Sequence, residues 1–277
     1  MPDDDRAPLH ADWRVVGGLR LHARASDAAP GRPPVVLVHG LGVSGRYFVP
    51  AARALAADHA VWVPDLPGHG RSEAPPRAQR VPEMADTLLA WMDAVGLERP
   101  ALVGNSLGCQ AVLHLAARYP ERAGPLVLVG PTVDSRHRTF AAQLGRLVAT
   151  GLFERAALLP ILALDYGRML PRVVGEARAA LDDRPEANAP LVRSPSLIVR
   201  GEHDRLTTRA WVAELAALLR GETVREVPGV GHAVHFSVPD RFAAIVREFL
   251  RAAAAADGQP RSRSSSSSMS TASSPSS

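Results

Sequence analysis

The sequence predicts an α/β fold: a mostly parallel, eight-stranded sheet flanked by helices, with a helical insert after the sixth strand. Three observations predict it. Runs such as VVLV at Val35–Val38 and LVLV at Leu126–Val129 are apolar at successive positions, as strands buried on both faces must be. Helical patterns lie between the runs: Met84, Leu88, Trp91, Met92 and Val95 recur at helical spacing, as do Phe242, Ile245, Val246, Phe249 and Leu250. Strands that alternate with helices pair in parallel and need cover on both sides.

In chain order, Trp13–Val16 and Leu19–His22 flank Gly17-Gly18 and read as a hairpin that starts the sheet antiparallel. Strands then follow at Val35–Val38, Val61–Pro64, Ala101–Val103, Leu126–Val129, Ser196–Arg200 and Thr223–Val227. From Ser135 to Pro190 no strand pattern occurs. That stretch is rich in Leu, Ala and Arg, with Pro160, Pro171, Pro185 and Pro190 as breakers, and reads as an all-helical lid. The expected organisation is therefore a core over 1–134 and 191–256, a cap over 135–190 and a tail over 257–277. Of the 16 residues from Ser262 to Ser277, 11 are Ser, a composition that cannot bury apolar surface and is expected to be disordered.

Composition bounds the function. With 277 residues, 46% hydrophobic and 22% charged, the chain has the proportions of a soluble domain large enough for a full core. The single cysteine, Cys109, excludes a disulfide framework and multi-cysteine metal sites. The net charge is +4, and every basic residue is an Arg interspersed with carboxylates rather than massed, which argues against nucleic acid as a partner. The acidic N-terminus lacks the pattern of a secretory signal. The longest uncharged stretch, Ala101–Ala117, carries Gly, Asn, Ser, Gln and His and falls short of a membrane span. A cytoplasmic protein with no membrane or nucleic-acid partner is expected, as a monomer or homodimer.

Three segments carry chemistry. Gly104-Asn105-Ser106-Leu107-Gly108 follows a strand and opens a helix, the setting of a G-x-S-x-G nucleophile elbow. Ser106 must take a strained backbone at this turn, small neighbours avoid a clash, and the N–H of Leu107 at the helix start faces a developing oxyanion. Val38-His39-Gly40-Leu41-Gly42 ends the first long buried strand. Its glycines, Gly40 among them, allow a ligand to approach the backbone, and Leu41 N–H is the candidate second oxyanion donor. Gly201-Glu202-His203-Asp204 and Gly229-Val230-Gly231-His232 follow the last two strands, at the sheet edge where such folds bind ligands. In this order His232 can take the proton of Ser106 while Asp204 holds the imidazole tautomer.

Other residues read as structural. Asp134 is a second candidate acid, Asp65 and His69 pin a loop, Cys109 belongs to the core, and His235 lacks a third partner for a metal. Arg136, Arg138, Arg146, Arg168, Arg172 and Arg178 read as a solvated face, from which one can reach the pocket.

The motifs HGLG, DLPGHGRS at Asp65–Ser72, GNSLG, GEHD and GVGH, in this order, make the chain resemble an α/β-hydrolase-fold serine hydrolase of the small, capped kind, from about Trp13 to Ala253. The resemblance implies a triad of Ser106, Asp204 and His232 and an oxyanion hole from the backbone of Leu41 and Leu107. Haloalkane dehalogenases and epoxide hydrolases, which share this fold, carry a carboxylate where Ser106 stands. Ser106 therefore points to acyl transfer without metal or organic cofactor: hydrolysis of a small carboxylic ester under a roofed, apolar pocket, with Tyr47 and Phe48 as aromatic walls. Three alternatives stay open: a carbon–carbon bond hydrolase of ring-cleavage diketones, a cofactor-free perhydrolase, and an inactive member that binds ligands. GNSLG resembles the carbon–carbon hydrolases' elbow, but HGLGVSG lacks the Pro of their oxyanion loop.

Overall fold

The computed structural model describes residues 8–27, 31–151, 153–219 and 223–257. Eight strands form one sheet: β1 (His10–Val16), β2 (Leu19–Ala25), β3 (Val35–Val38), β4 (Val61–Pro64), β5 (Ala101–Asn105), β6 (Leu126–Val129), β7 (Ser196–Gly201) and β8 (Thr223–Val227). Their order is β1-β2-β4-β3-β5-β6-β7-β8. β1 pairs antiparallel with β2, as does β2 with β4, and every later pairing is parallel. Each predicted strand is present. β1, β2, β5 and β7 run longer than their apolar runs, because ladder hydrogen bonds continue where side chains become polar.

The helices are α1 (Val49–Leu55), α2 (Val81–Ala94), α3 (Leu107–Arg118), α4 (Phe140–Gly151), α5 (Leu159–Asp182), α6 (Pro185–Asn188), α7 (Arg209–Leu218), α8 (Val234–Ser237) and α9 (Pro239–Asp257). The period-2 alternation of β3 sends Val36 and Val38 to one face of the sheet and Val35 and Leu37 to the other. On the first face they meet Trp91 and Met92 of α2, Val112 and Leu115 of α3 and Trp211 of α7. On the second they meet Leu55 of α1 and Phe242 and Val246 of α9. Each such side chain contributes about 1.5–3 kcal/mol on burial. β8 is an edge strand, and Thr223–Glu226 are correspondingly exposed.

Between β6 and β7 lie α4, a 3-10 turn at Ala156–Leu158, α5 and α6, with no strand among the described residues. Pro160 sits in the first turn of α5, where its missing N–H costs nothing. Pro171 does not break the helix as expected, since α5 runs through that position. The Ser-rich tail expected at the C-terminus lies, after Asp257, outside the described residues. Among the described residues no helix is long and apolar enough to cross a membrane.

Candidate active site

Parallel pairing brings the C-terminal ends of β3, β5, β6, β7 and β8 to one edge, and the singled-out segments leave the sheet there. Ser106 follows β5 with φ 55° and ψ −120°, the one non-glycine positive φ among the described residues. The motif's glycines make this turn possible. A Cβ on Gly104 would stand 2.6 Å from the Gly108 carbonyl, and one on Gly108 would collide with the Val38 carbonyl. Leu107 is the first residue of α3, so its N–H belongs to the unpaired helix start. Ser106 Oγ lies 3.5 Å from Thr132 Oγ1.

Asp204 and His232 meet across the ends of β7 and β8. His232 Nδ1 lies 2.8 Å from Asp204 Oδ2, while Asp204 Oδ1 accepts from Leu206 N at 2.9 Å and Thr207 N at 3.0 Å. Burial alone would raise the Asp204 carboxyl, but the His232 charge and hydrogen bond, with Thr207 N–H and Arg200, hold it below its ordinary value. Burial alone would lower His232, yet Asp204 and then Glu154 bring it above its ordinary value. The carboxylate takes Nδ1–H, which leaves Nε2 as the basic nitrogen. That atom is buried, without a hydrogen-bond partner among the described residues.

Ser106, His232, Gly40, Leu41, Leu107 and Tyr47 all line one cavity of about 390 Å³. Its roof comes from the insert: Phe140, Leu144, Leu147, Leu158, Leu162 and Ala177 among others. The described lining carries one formal charge besides His232, that of Glu154, and no arginine. Arg136 pairs with Glu214, Arg138 with Glu186, Arg146 with the Arg205 carbonyl and Arg172 with the carbonyls of Pro75 and Arg77, while Arg178 is exposed. The side chain of Arg168 lies outside the described residues.

The loop after β3 is braced from below. His39 Nε2 accepts from Leu66 N at 2.9 Å, so Nδ1 carries the hydrogen and donates to Gly40 O, also at 2.9 Å. Burial, aided by His69, pushes His39 down to about 3, so the ring is neutral. Tyr47 accepts from Gly40 N at 2.9 Å and donates to Asn105 Oδ1 at 2.6 Å, and Asn105 Nδ2 reaches the carbonyl of Val129 at 3.0 Å. Phe48 differs from expectation. It is fully buried, stacks on His235 at 4.0 Å and is not among the cavity's lining residues. Facing into the core, the turn Gly45–Phe48 leaves Tyr47 alone at the cavity.

The competing residues are engaged elsewhere. Asp134 accepts from Arg136 N at 3.0 Å and from Thr208 Oγ1 at 2.6 Å, while the carboxylate on the His232 ring is that of Asp204. Asp65 accepts from Gly45 N and Arg71 N and contacts His22 and Arg24. Cys109 is buried, and burial pushes its thiol up. Among the described residues no three His, Cys, Asp or Glu side chains cluster in a way that could hold a metal.

Three contributors escaped the sequence reading. Glu154, in the insert, accepts from His232 N and Ala233 N. Gly130, after β6, has φ +52° and lies under the pair, where a Cβ would stand 2.6 Å from His232 Nδ1 and 3.1 Å from Asp204 Oδ2. Asn105, inside the elbow motif, bridges the loop and the sheet.

Residues 35–245 match the model of the alpha/beta hydrolase family. The chain belongs to this family. This alpha/beta hydrolase is an enzyme with hydrolytic activity, as the names of the two relatives that follow also indicate. It is similar to RutD of Caulobacter sp. (strain K31), whose name refers to carbamate hydrolysis, with 30% identity over 87% of this chain and 98% of that one. It is also similar to the pimeloyl-[acyl-carrier protein] methyl ester esterase of Stenotrophomonas maltophilia (strain K279a), with 29% identity over 82% of this chain and 96% of that one. Among solved structures, a hydrolase from Pseudomonas aeruginosa PA01 superposes with a TM-score of 0.73 at 22% identity, covering 87% of this chain and 98% of that one. At that identity the likeness concerns the fold alone.

Proposed function

We propose that this alpha/beta hydrolase is a serine esterase that cleaves small, neutral carboxylic esters through an acyl-enzyme. Ser106 is the nucleophile, His232 the general acid–base and Asp204 the group that orients it. As Ser106 Oγ bonds to the ester carbonyl carbon, its proton passes to His232 Nε2, and the carbonyl oxygen becomes an oxyanion held by the N–H groups of Leu41 and Leu107. Collapse of the tetrahedral species expels the alcohol, which takes the proton from Nε2. Water, deprotonated by the same nitrogen, then attacks the acyl-enzyme, and Ser106 recovers its proton.

One observation carries the reading: in a shared cavity a serine in a strained positive-φ turn stands with a histidine whose Nδ1 is held by a buried carboxylate and whose Nε2 is unengaged. The insert is a cap in this reading. Its aliphatic and aromatic side chains suit a short or medium acyl group, and the described lining offers no cation to hold an anionic substrate. That last feature favours a neutral ester over a carboxylate-bearing ring-cleavage diketone. Measuring kcat/KM for p-nitrophenyl esters of increasing chain length, beside such a diketone, tests the assignment. Preference for short and medium esters is expected; a hundredfold preference for the diketone would transfer it to carbon–carbon cleavage.

A further inference from the structure

Glu154 belongs to no motif, yet it links the insert directly to the main chain of His232. It stands between α4 and the 3-10 turn at Ala156–Leu158. From there its Oε1 accepts from His232 N at 2.5 Å and from Ala233 N at 3.0 Å, and Oε2 lies 3.5 Å from Ser237 Oγ. Successive N–H groups converging on one carboxylate oxygen fix the direction of the loop after β8. Room for the carboxylate comes from Gly231, where a Cβ would stand 2.6 Å from Oε1. The same side chain lines the cavity beside Ser106.

Among the described residues, the charges of His232 and, from the loop after β7, Asp204 act on Glu154. Behind His232, on α8, His235 is kept neutral by burial and by His232 itself. The adjacent Arg155 donates instead to Ser237 O at 3.3 Å. Burial raises the Glu154 carboxyl above its ordinary value, while the N–H groups of Ala233 and His232 and the His232 charge oppose that rise.

We propose that Glu154 is a positioning residue for His232, through which the docked cap fixes the main chain of the base and adds a second negative charge beside the imidazolium that forms during attack. The proposal rests on the triad assigned above. In this enzyme the site is complete only with the cap in place, since one of its parts is carried by the cap.

The test compares the full-length wild type with Glu154→Gln, Glu154→Ala and Ser106→Ala, using p-nitrophenyl butyrate across pH. Glu154→Ala leaves two inward N–H groups unpaired and lets the loop drift, so kcat should fall by roughly ten- to a hundredfold with KM nearly unchanged. Glu154→Gln keeps an acceptor oxygen and should bring kcat back to within about threefold of wild type. Without the charge, however, the midpoint of the acid limb of kcat/KM should drop by about half a unit or more. A melting curve for each variant separates a lost fold from a lost function, and the Gln pH profile stands even where the Ala variant unfolds. An unmoved midpoint in Glu154→Gln, or full kcat in a folded Glu154→Ala, overturns the role of Glu154. If Ser106→Ala retains activity, the triad itself fails; if it is inactive while both Glu154 variants match wild type, only the present proposal does.

Discussion

His232 Nδ1 lies 2.8 Å from Asp204 Oδ2, and this contact ties together the ends of the last two strands of the sheet. It settles three things about the imidazole: its tautomer, its orientation and its basicity. Both groups are almost wholly buried, so water does not weaken the pairing and the two ionisations depend on each other.

A pH prediction follows from the sign of the shift. In the proposed mechanism His232 acts as neutral imidazole; its protonated form is stabilised by Asp204, which with Glu154 outweighs burial and holds it above the ordinary histidine value of 6.5. Activity should therefore rise with pH through a midpoint above that value. Asp204→Asn removes the charge and favours the wrong tautomer; the midpoint should fall and kcat drop by about a thousandfold or more. Asp134→Asn, at the Thr208 hydroxyl, should stay near wild type. A pH–rate profile of the three proteins checks all of these outcomes.

Gly130→Ala should disable the site while Ser106, Asp204 and His232 themselves stay unsubstituted. The added methyl would lie 2.6 Å from His232 Nδ1, at a backbone φ of +52° that also strains any L-residue. The imidazole must move, and kcat should fall by about a hundredfold or more. Ester turnover and the labelling rate with a fluorophosphonate should fall together; unchanged rates would show that the pair tolerates displacement.

Tyr47→Phe tests the brace under the loop after β3, the proposed oxyanion loop. The change strips Gly40 N and Asn105 Oδ1 of a shared partner at 2.9 and 2.6 Å. Leaving two buried polar groups unpaired costs about 1–3 kcal/mol each. Thermal melting should show the loss in Tm, and kcat should fall about tenfold while KM for a short ester moves less.

Asp65 provides a stability prediction away from the chemistry. Burial by itself would raise its carboxyl, but the His22 hydrogen bond, Arg24, His39 and Arg71 N–H hold it down to about 2, below the ordinary 3.8. Its contribution is thus present above the unfolded value and disappears as pH falls from about 4 towards 2. Asp65→Ala leaves its donors buried and unpaired, at a cost of about 3 kcal/mol or more, or roughly 6–12 °C in Tm for a domain of this size. Melting curves at pH 7 and in acid should show the gap between wild type and variant narrowing as pH drops.

Much of this architecture could be read from residues alone, for identifiable reasons. VVLV and LVLV are buried on both faces, so an unbroken apolar run marks them, and parallel strands bring Ser106, Asp204 and His232 to one edge whatever the loops do. Glu154 left no such mark. Its partner is 78 residues away, and the α4–α5 stretch has only the composition of a generic helix. Gly130 looked like any glycine after a strand, because its reason is a packed imidazole from another loop. Phe48 read as a pocket wall from its closeness to the oxyanion loop, but a 3-10 turn rotates neighbours by about 120°. That rotation sends Phe48 onto His235 and leaves Tyr47 at the cavity.

The central claim is that Ser106 is an activated nucleophile, and intact-mass analysis after treatment with a fluorophosphonate tests it most directly. One adduct per chain, mapped to Ser106, is the predicted result for the wild type. Ser106→Ala should stay unlabelled and fold normally, with ester hydrolysis reduced by roughly a thousandfold or more. An adduct on another residue, or a Ser106→Ala protein that still turns over ester at the wild-type rate, would contradict the account.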